Sequence, residues 1–140
     1  MNKFLNIIAI DYGEKRVGIA RGDTDTFISR PFKILENKNE NFLLSEIKRI
    51  IDDFDINFIV LGYPISLSGK ITPQTKKIDR FYNFLKSNLD LEIVKVDERL
   101  SSRQAKTLIN SSGISSRLDD IAAMIFLDSY LLSIKKDYES

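Results

Sequence analysis

Hydrophobic residues follow two rhythms along this chain. Phe4 to Ile10 is an apolar run broken only by Asn6. It stops at Asp11-Tyr12-Gly13 and the charged triplet Glu14-Lys15-Arg16, and apolar character resumes at Val17-Gly18-Ile19-Ala20. Two short runs around a glycine-bearing turn predict an antiparallel hairpin, with strands over 4–10 and 16–21. A strand apolar almost throughout is one covered on both faces, so 4–10 is expected at the sheet centre. Asp23 and Asp25 flank a turn, and Phe27 to Leu35 predicts a third strand that Pro31 confines to an edge or a bulge. Over 40–53 the rhythm changes. Phe42, Leu43, Ile47, Ile50 and Ile51 fall on one stripe and Glu46, Lys48, Arg49 and Asp52 off it, which is a helix capped by Asn37 or Asn39.

Phe58 to Leu61 is a fully apolar strand and a second candidate for the sheet centre. A polar loop over 65–73 leads to a helix from Thr72 to Ser87, with Pro73 in its first turn and Ile78, Phe81, Tyr82 and Leu85 on its buried side. Leu91 to Val96 is a strand ending in Asp97-Glu98-Arg99. Ser101 or Ser102 caps a helix to Asn110, and a loop around Gly113 follows. The last helix runs from Leu118 to Ile134 with a broad apolar face, and the polar tail KKDYES is expected to fray. Three antiparallel strands followed by two parallel ones give an α/β fold: a mixed five-stranded sheet with helices on both faces and right-handed crossovers.

Composition narrows the chemistry. At 140 residues the expectation is one domain over 1–140. The chain has no cysteine and no histidine. That excludes a disulfide scaffold, thiolate zinc, histidine triads and histidine acid–base catalysis. A formal net charge of +1 does not mark a nucleic-acid binder, so any such face is local. No stretch reaches membrane-span length, and the N-terminal run leads into DYGEKR rather than a cleavage site, so no membrane role and a cytoplasmic location are expected. There is neither a dinucleotide-binding glycine pattern nor a P-loop.

Carboxylates must then carry the chemistry. Asp11 ends the first strand, Asp97 and Glu98 end the last, and Asp119 and Asp120 open the final helix. With strands one, four and five side by side and parallel, all three places share one edge. Carboxylates so close repel one another, and a hard divalent cation reverses that cost with oxygen ligands. Each has a plainer reading as well: a loop aspartate, an ion pair, a helix cap. Lys15 and Arg16 are placed to reach a phosphate. Lys70, Lys76, Lys77, Arg99, Arg103 and Arg117 fall near the same rim, and scattered solubilising charge is the alternative. Tyr12 and Tyr63 are candidates for base stacking.

The stretches IIAIDYGEKRVGIA, FIVLGYPISLSGKITPQTKKIDRFYNFL, IVKVDERLSSRQAKTLI and RLDDIAAMIFLDSYL together resemble the YqgF/RuvX family over about residues 4–132. That family is described both as Holliday junction resolvases and as the bacterial pre-16S ribosomal RNA nuclease. The resemblance implies a ribonuclease H-like fold and nuclease chemistry with Mg2+ or Mn2+, two ions. Asp11, Glu98 and Asp119 match its catalytic, metal-holding acids. Gly13, Lys15, Arg16, Gly62, Pro64 and Arg99 match its substrate-contacting motifs, and Arg117 is the basic residue of a shortened loop before the last aspartate. Ser101 and Ser102 stand where the family often has two threonines. The expected partner is precursor ribosomal RNA or another structured nucleic acid, with ribosome association, as a monomer or homodimer. The competing readings are cleavage of four-way DNA junctions by a dimer and a noncatalytic nucleic-acid-binding module.

Overall fold

The computed structural model describes residues 4–63, 71–97 and 118–139, and within the last stretch the side chains of 121–135. The elements are β1 (Asn6–Tyr12), β2 (Arg16–Asp23), β3 (Ser29–Glu36), α1 (Glu40–Phe54), β4 (Phe58–Tyr63), α2 (Pro73–Asn88), β5 (Glu92–Asp97) and α3 (Leu118–Glu139). They form one sheet in the order β3-β2-β1-β4-β5. The β1–β2 and β2–β3 ladders are antiparallel, and β1–β4 and β4–β5 are parallel. The mixed sheet expected from the sequence is therefore the one observed. The predicted helix over 101–110 lies outside the described residues.

Apolar continuity explains why β1 is central. Ile7, Ile8, Ala9 and Ile10 are all fully buried, which requires cover on both faces. Alternation divides them. Ile8 and Ile10 join Val17, Ile19, Ile59 and Leu61 against Leu43, Ile47 and Ile50 of α1 and Ile78, Phe81 and Leu85 of α2. Ile7 and Ala9 join Ala20, Phe58 and Val60 against Ala123, Phe126, Leu127 and Leu131 of α3.

The helix ends follow from local polar chemistry. The Asn39 side chain accepts a hydrogen bond from the Phe42 amide, and the helix closes at Asp55, a left-handed residue at φ 53° whose amide donates to Ile51 O. Thr72 and Thr75 form a reciprocal capping box around Pro73 at the start of α2. Each such cap contributes about 1 kcal/mol.

Two boundaries differ from the sequence expectation, and one expected irregularity is observed. β3 begins at Ser29 rather than Phe27, because Phe27 takes a left-handed φ of 57° at the end of the β2–β3 turn. Opposite Pro31 the ladder shifts register between Ile19 and Ala20, which is the bulge an imino residue demands on an edge strand. α3 continues to Glu139 instead of fraying after Ile134. Lys135 there lies over the Phe27 ring at 5.7 Å, and cations suit the C-terminal turns of a helix.

α3 crosses the sheet face that Ile7 and Ala9 share. Tyr130 stacks on Phe58, the first residue of β4, with centroids 5.7 Å apart. Ser29 Oγ of β3 meets Met124 O at 3.1 Å and the Asp128 carboxylate.

Candidate active site

Asp11 is the sixth residue of β1, partly buried, and lies opposite Gly18 of β2. By strand alternation it shares a face with Ile7 and Ala9, the face that α3 covers. On the other side of β1, the parallel ladder to β4 ends at Ile10 and Leu61, so buried Gly62 follows at the level of Asp11. Gly62 in turn pairs with Val96 of β5. A glycine beside the aspartate leaves the α3 face of the rim without a side chain at that step.

Asp97 ends β5 next to Tyr63. Its parity is that of Ile93, which packs with α1 and α2, while Val94 and Val96 pack on the α3 side. Asp97 and Asp11 thus belong to opposite faces of the sheet. Sequence spacing alone left Asp97 and Glu98 both open, and the register removes Asp97. Among the described residues no group of three carboxylates gathers at metal-binding range. Glu98 lies outside those residues, as do Pro64, Arg99 and Arg117. Asp119 has a described place in the first turn of α3 but not a described side chain.

The hairpin between β1 and β2 is built for close approach. A Cβ on Gly13 would lie 2.5 Å from Arg16 O, so no other residue fits the turn as it stands. Here glycine serves contact, because its φ is not in the left-handed region. Asn37 holds the tip. Its side-chain amide donates to Gly13 O at 2.8 Å, and its backbone amide donates to Lys15 O at 2.9 Å. Lys15 and Arg16 are exposed on this braced tip.

Tyr12 points to the α2 face, where its ring meets Phe81 with centroids 4.3 Å apart. Beside it opens a cleft of about 430 Å3 between the hairpin and the start of α2, walled by Tyr12, Gly13, Glu14, Thr72, Gln74 and Lys77 among others. Glu14 and Lys77 form an ion pair across it. Lys77 is one of the rim cations expected from sequence, and its described partner is a carboxylate.

A second polar group stiffens the far side of the rim. Lys95 Nζ donates to Asp79 Oδ1 at 2.8 Å, and Tyr63 Oη donates to Asp79 Oδ2 at 3.1 Å. Lys95 also lies over the rings of Tyr63 (4.8 Å) and Tyr82 (4.5 Å). The hydrogen bond from Lys95 holds the Asp79 carboxyl below the ordinary carboxylate value, and that from Tyr63 adds to it. Burial, then the hydrogen bond to Asp79, pushes the Tyr63 phenol up. Tyr63, expected from sequence as a stacking candidate, spends its hydroxyl and one ring face on this cluster. Nothing in the linear pattern marks Asp79 or Lys95. Their meeting depends on how α2 crosses β4 and β5.

The family model for RuvX, described as Holliday junction resolvase, matches residues 5–133. The chain belongs to the RuvX family. A relative from Mesomycoplasma hyopneumoniae named "Putative pre-16S rRNA nuclease" is 36% identical over 138 residues, covering 94% of this chain and 96% of the relative. One of the same name from Maridesulfovibrio salexigens is 36% identical over 132 residues, covering 91% and 98%. Among solved structures, the Fowlpox virus resolvase bound to Holliday junction DNA superposes with a TM-score of 0.60 at 16% identity, covering 93% of this chain and 99% of that one. RuvC of T. thermophilus with a Holliday junction substrate gives 0.55 at 9% identity, covering 94% and 96%. At such identities these two speak for the fold alone, which is the ribonuclease H-like one expected from the RuvX resemblance. Among the described residues no helix is long and apolar enough to cross a membrane.

Proposed function

We propose that this RuvX member is a divalent-metal-dependent nuclease, working as one domain, that hydrolyses phosphodiester bonds in maturing the 5′ end of precursor 16S ribosomal RNA. The observation that carries the reading is the place of Asp11. It ends the central strand on the sheet face that α3 covers. Asp119 stands in the first turn of α3. The parity of β5 favours Glu98 over Asp97 as the third acid.

The donor set fits a hard ion. The chain offers no histidine or cysteine, and carboxylates select Mg2+ or Mn2+. Asp11, Glu98 and Asp119 would hold two such ions, which supply activation of a water and neutralisation of charge at the scissile phosphate. The protein's own part is positioning. Lys15 and Arg16 on the braced hairpin tip, with Arg99 and Arg117, contact the substrate backbone. Gly13, Gly62 and Pro64 let the strand approach the sheet rim. The reading further implies cytoplasmic work beside ribosomal particles, as monomer or homodimer.

The RNA assignment follows the naming of the relatives. The family's description and the junction DNA held by the structural neighbours favour a second substrate, a four-way DNA junction, which needs two sites and hence a dimer. The test is cleavage of precursor 16S RNA and junction DNA side by side, with wild type and D11N, in Mg2+ and in chelator. The expected result is RNA cleavage lost in D11N and in chelator with the fold unchanged by circular dichroism. Cleavage by D11N at the parental rate refutes the site, and cleavage of junction DNA alone transfers it to the second substrate.

A further inference from the structure

A different surface carries two arginines and a single acid, Asp23. Arg21 of β2 and Arg30 of β3 are direct partners across the antiparallel ladder. Like charges so placed destabilise a sheet. Among the described residues neither guanidinium makes an ion pair. Arg21 is nonetheless fixed. Its guanidinium carbon lies 4.0 Å from the Phe54 ring centroid and 5.3 Å from that of Phe32. Its Nε is buried with no hydrogen-bond acceptor. Burial, then the charge of Arg30, pulls the Arg21 pKa down, and Asp23 offsets part of that.

Both arginines line a cleft of about 240 Å3 together with Asn6, Gly22, Asp23 and Ile28 among others. Its acid is committed elsewhere. Asp23 Oδ1 accepts from the Thr26 amide at 2.6 Å and the Thr26 hydroxyl at 2.9 Å. At about 30 Å3 per water, the cleft has room for a tetrahedral oxyanion and several waters. The surface is separate from the carboxylate rim. Arg21 stands opposite Ile8, three steps from Asp11 along β1 and on the α1–α2 face of the sheet.

We propose that Arg21 and Arg30 form a phosphate-binding site at the β2–β3 end of the sheet. A guanidinium already packed against two rings loses little freedom on binding, and its planar fork matches two oxygens of a phosphate. The bound anion relieves the cross-strand repulsion. The phosphate comes from a nucleic-acid strand or from free anion in solution. The inference stands whether or not the chain is a nuclease.

The test is amide and arginine Nε–H NMR of the full chain in metal-free buffer. It is titrated with inorganic phosphate, with a uridine oligoribonucleotide lacking terminal phosphates, and with chloride at matched ionic strength. Saturable shifts are expected at Gly22, Asp23, Arg30 and the Arg21 Nε–H with phosphate and not with chloride. R30Q, at an exposed position, should weaken the affinity about tenfold, the loss that removing one charge-assisted hydrogen bond entails. R21K, once shown to be folded, should do likewise because lysine lacks the fork. Saturation of the same signals at lower oligonucleotide than phosphate concentration assigns the site to a nucleic-acid strand, and saturation by phosphate alone assigns it to free anion. No saturable shift from either, equal shifts from chloride, or an unchanged R30Q overturns the proposal.

Discussion

Replacing Gly13 with alanine tests whether the hairpin tip is as tightly closed as the geometry says. The added Cβ would meet Arg16 O at 2.5 Å, so the turn must open by about 0.9 Å to reach an ordinary carbon–oxygen contact. Such overpacking costs about 1–3 kcal/mol. Opening the turn also draws Gly13 O away from the Asn37 amide, a bond worth about 1 kcal/mol. Against this, alanine restricts the unfolded chain and returns about 0.4–1 kcal/mol. The net loss is about 1–3.6 kcal/mol, out of a total of about 5–15 kcal/mol. With an unfolding entropy of about 2.1 cal/mol/K per residue, the melting temperature should fall by about 3–12 °C. Calorimetry reads the shift directly. A double-mutant cycle with N37A reads its cause, because two changes acting through one hydrogen bond should destabilise by less than their sum. A G13A protein melting within about 2 °C of wild type, less than 1 kcal/mol, would show that the close approach is not a real constraint.

Three further outcomes follow from the packing and the register. D97N should keep cleavage within a few-fold of wild type while E98Q loses about 100-fold or more, since only one parity faces Asp11; equal losses in a steady-state RNA cleavage assay would contradict the strand assignment. F126A, which empties a fully buried position between α3 and the sheet, should cost about 3–5 kcal/mol in urea denaturation. The Lys95–Asp79 pair should stabilise by only about 0.5 kcal/mol, because both side chains are more than a third exposed. The Asp79 carboxyl is held below its unfolded value of 3.8, so this contribution is present above that pH and is lost as pH falls through the folded value. The gap between wild type and K95M in urea midpoint should therefore close on acidification below pH 3.8, and a gap that persists there would exclude the ion pair as its cause.

What could be read from the residues in order was what repeats locally. Unbroken burial of Ile7 to Ile10 makes β1 central, and that was visible as an apolar run. The bulge was visible as Pro31. Asn39, one of two expected caps, is the one that caps α1. Asn37 is instead drawn to the hairpin by Gly13 and Lys15, residues more than twenty positions earlier. Whether Asp97 or its neighbour faces Asp11 depends on strand register, which a pair of adjacent acids does not reveal. The Tyr63–Asp79–Lys95 cluster and the opposed Arg21 and Arg30 are products of helix crossing and ladder pairing. They combine residues that look, in sequence, like ordinary surface charge. Lys77 belonged to an expected cationic rim and proves to be tied to Glu14. The contact of Lys135 with the Phe27 ring joins residues far apart in sequence.

The seating of α3 has a bearing on how the chain is made. One whole side of the sheet, Ile7, Ala9, Ala20, Phe58 and Val60, is roofed by residues 123–131 and by little else among the described residues. During synthesis those strands emerge long before their roof. An oily surface therefore stands open until residues 123–131 have been translated, and a chain cut before Ala123 keeps it open for good. Such a fragment should stick to its neighbours rather than fold, so losing α3 means losing solubility along with any function.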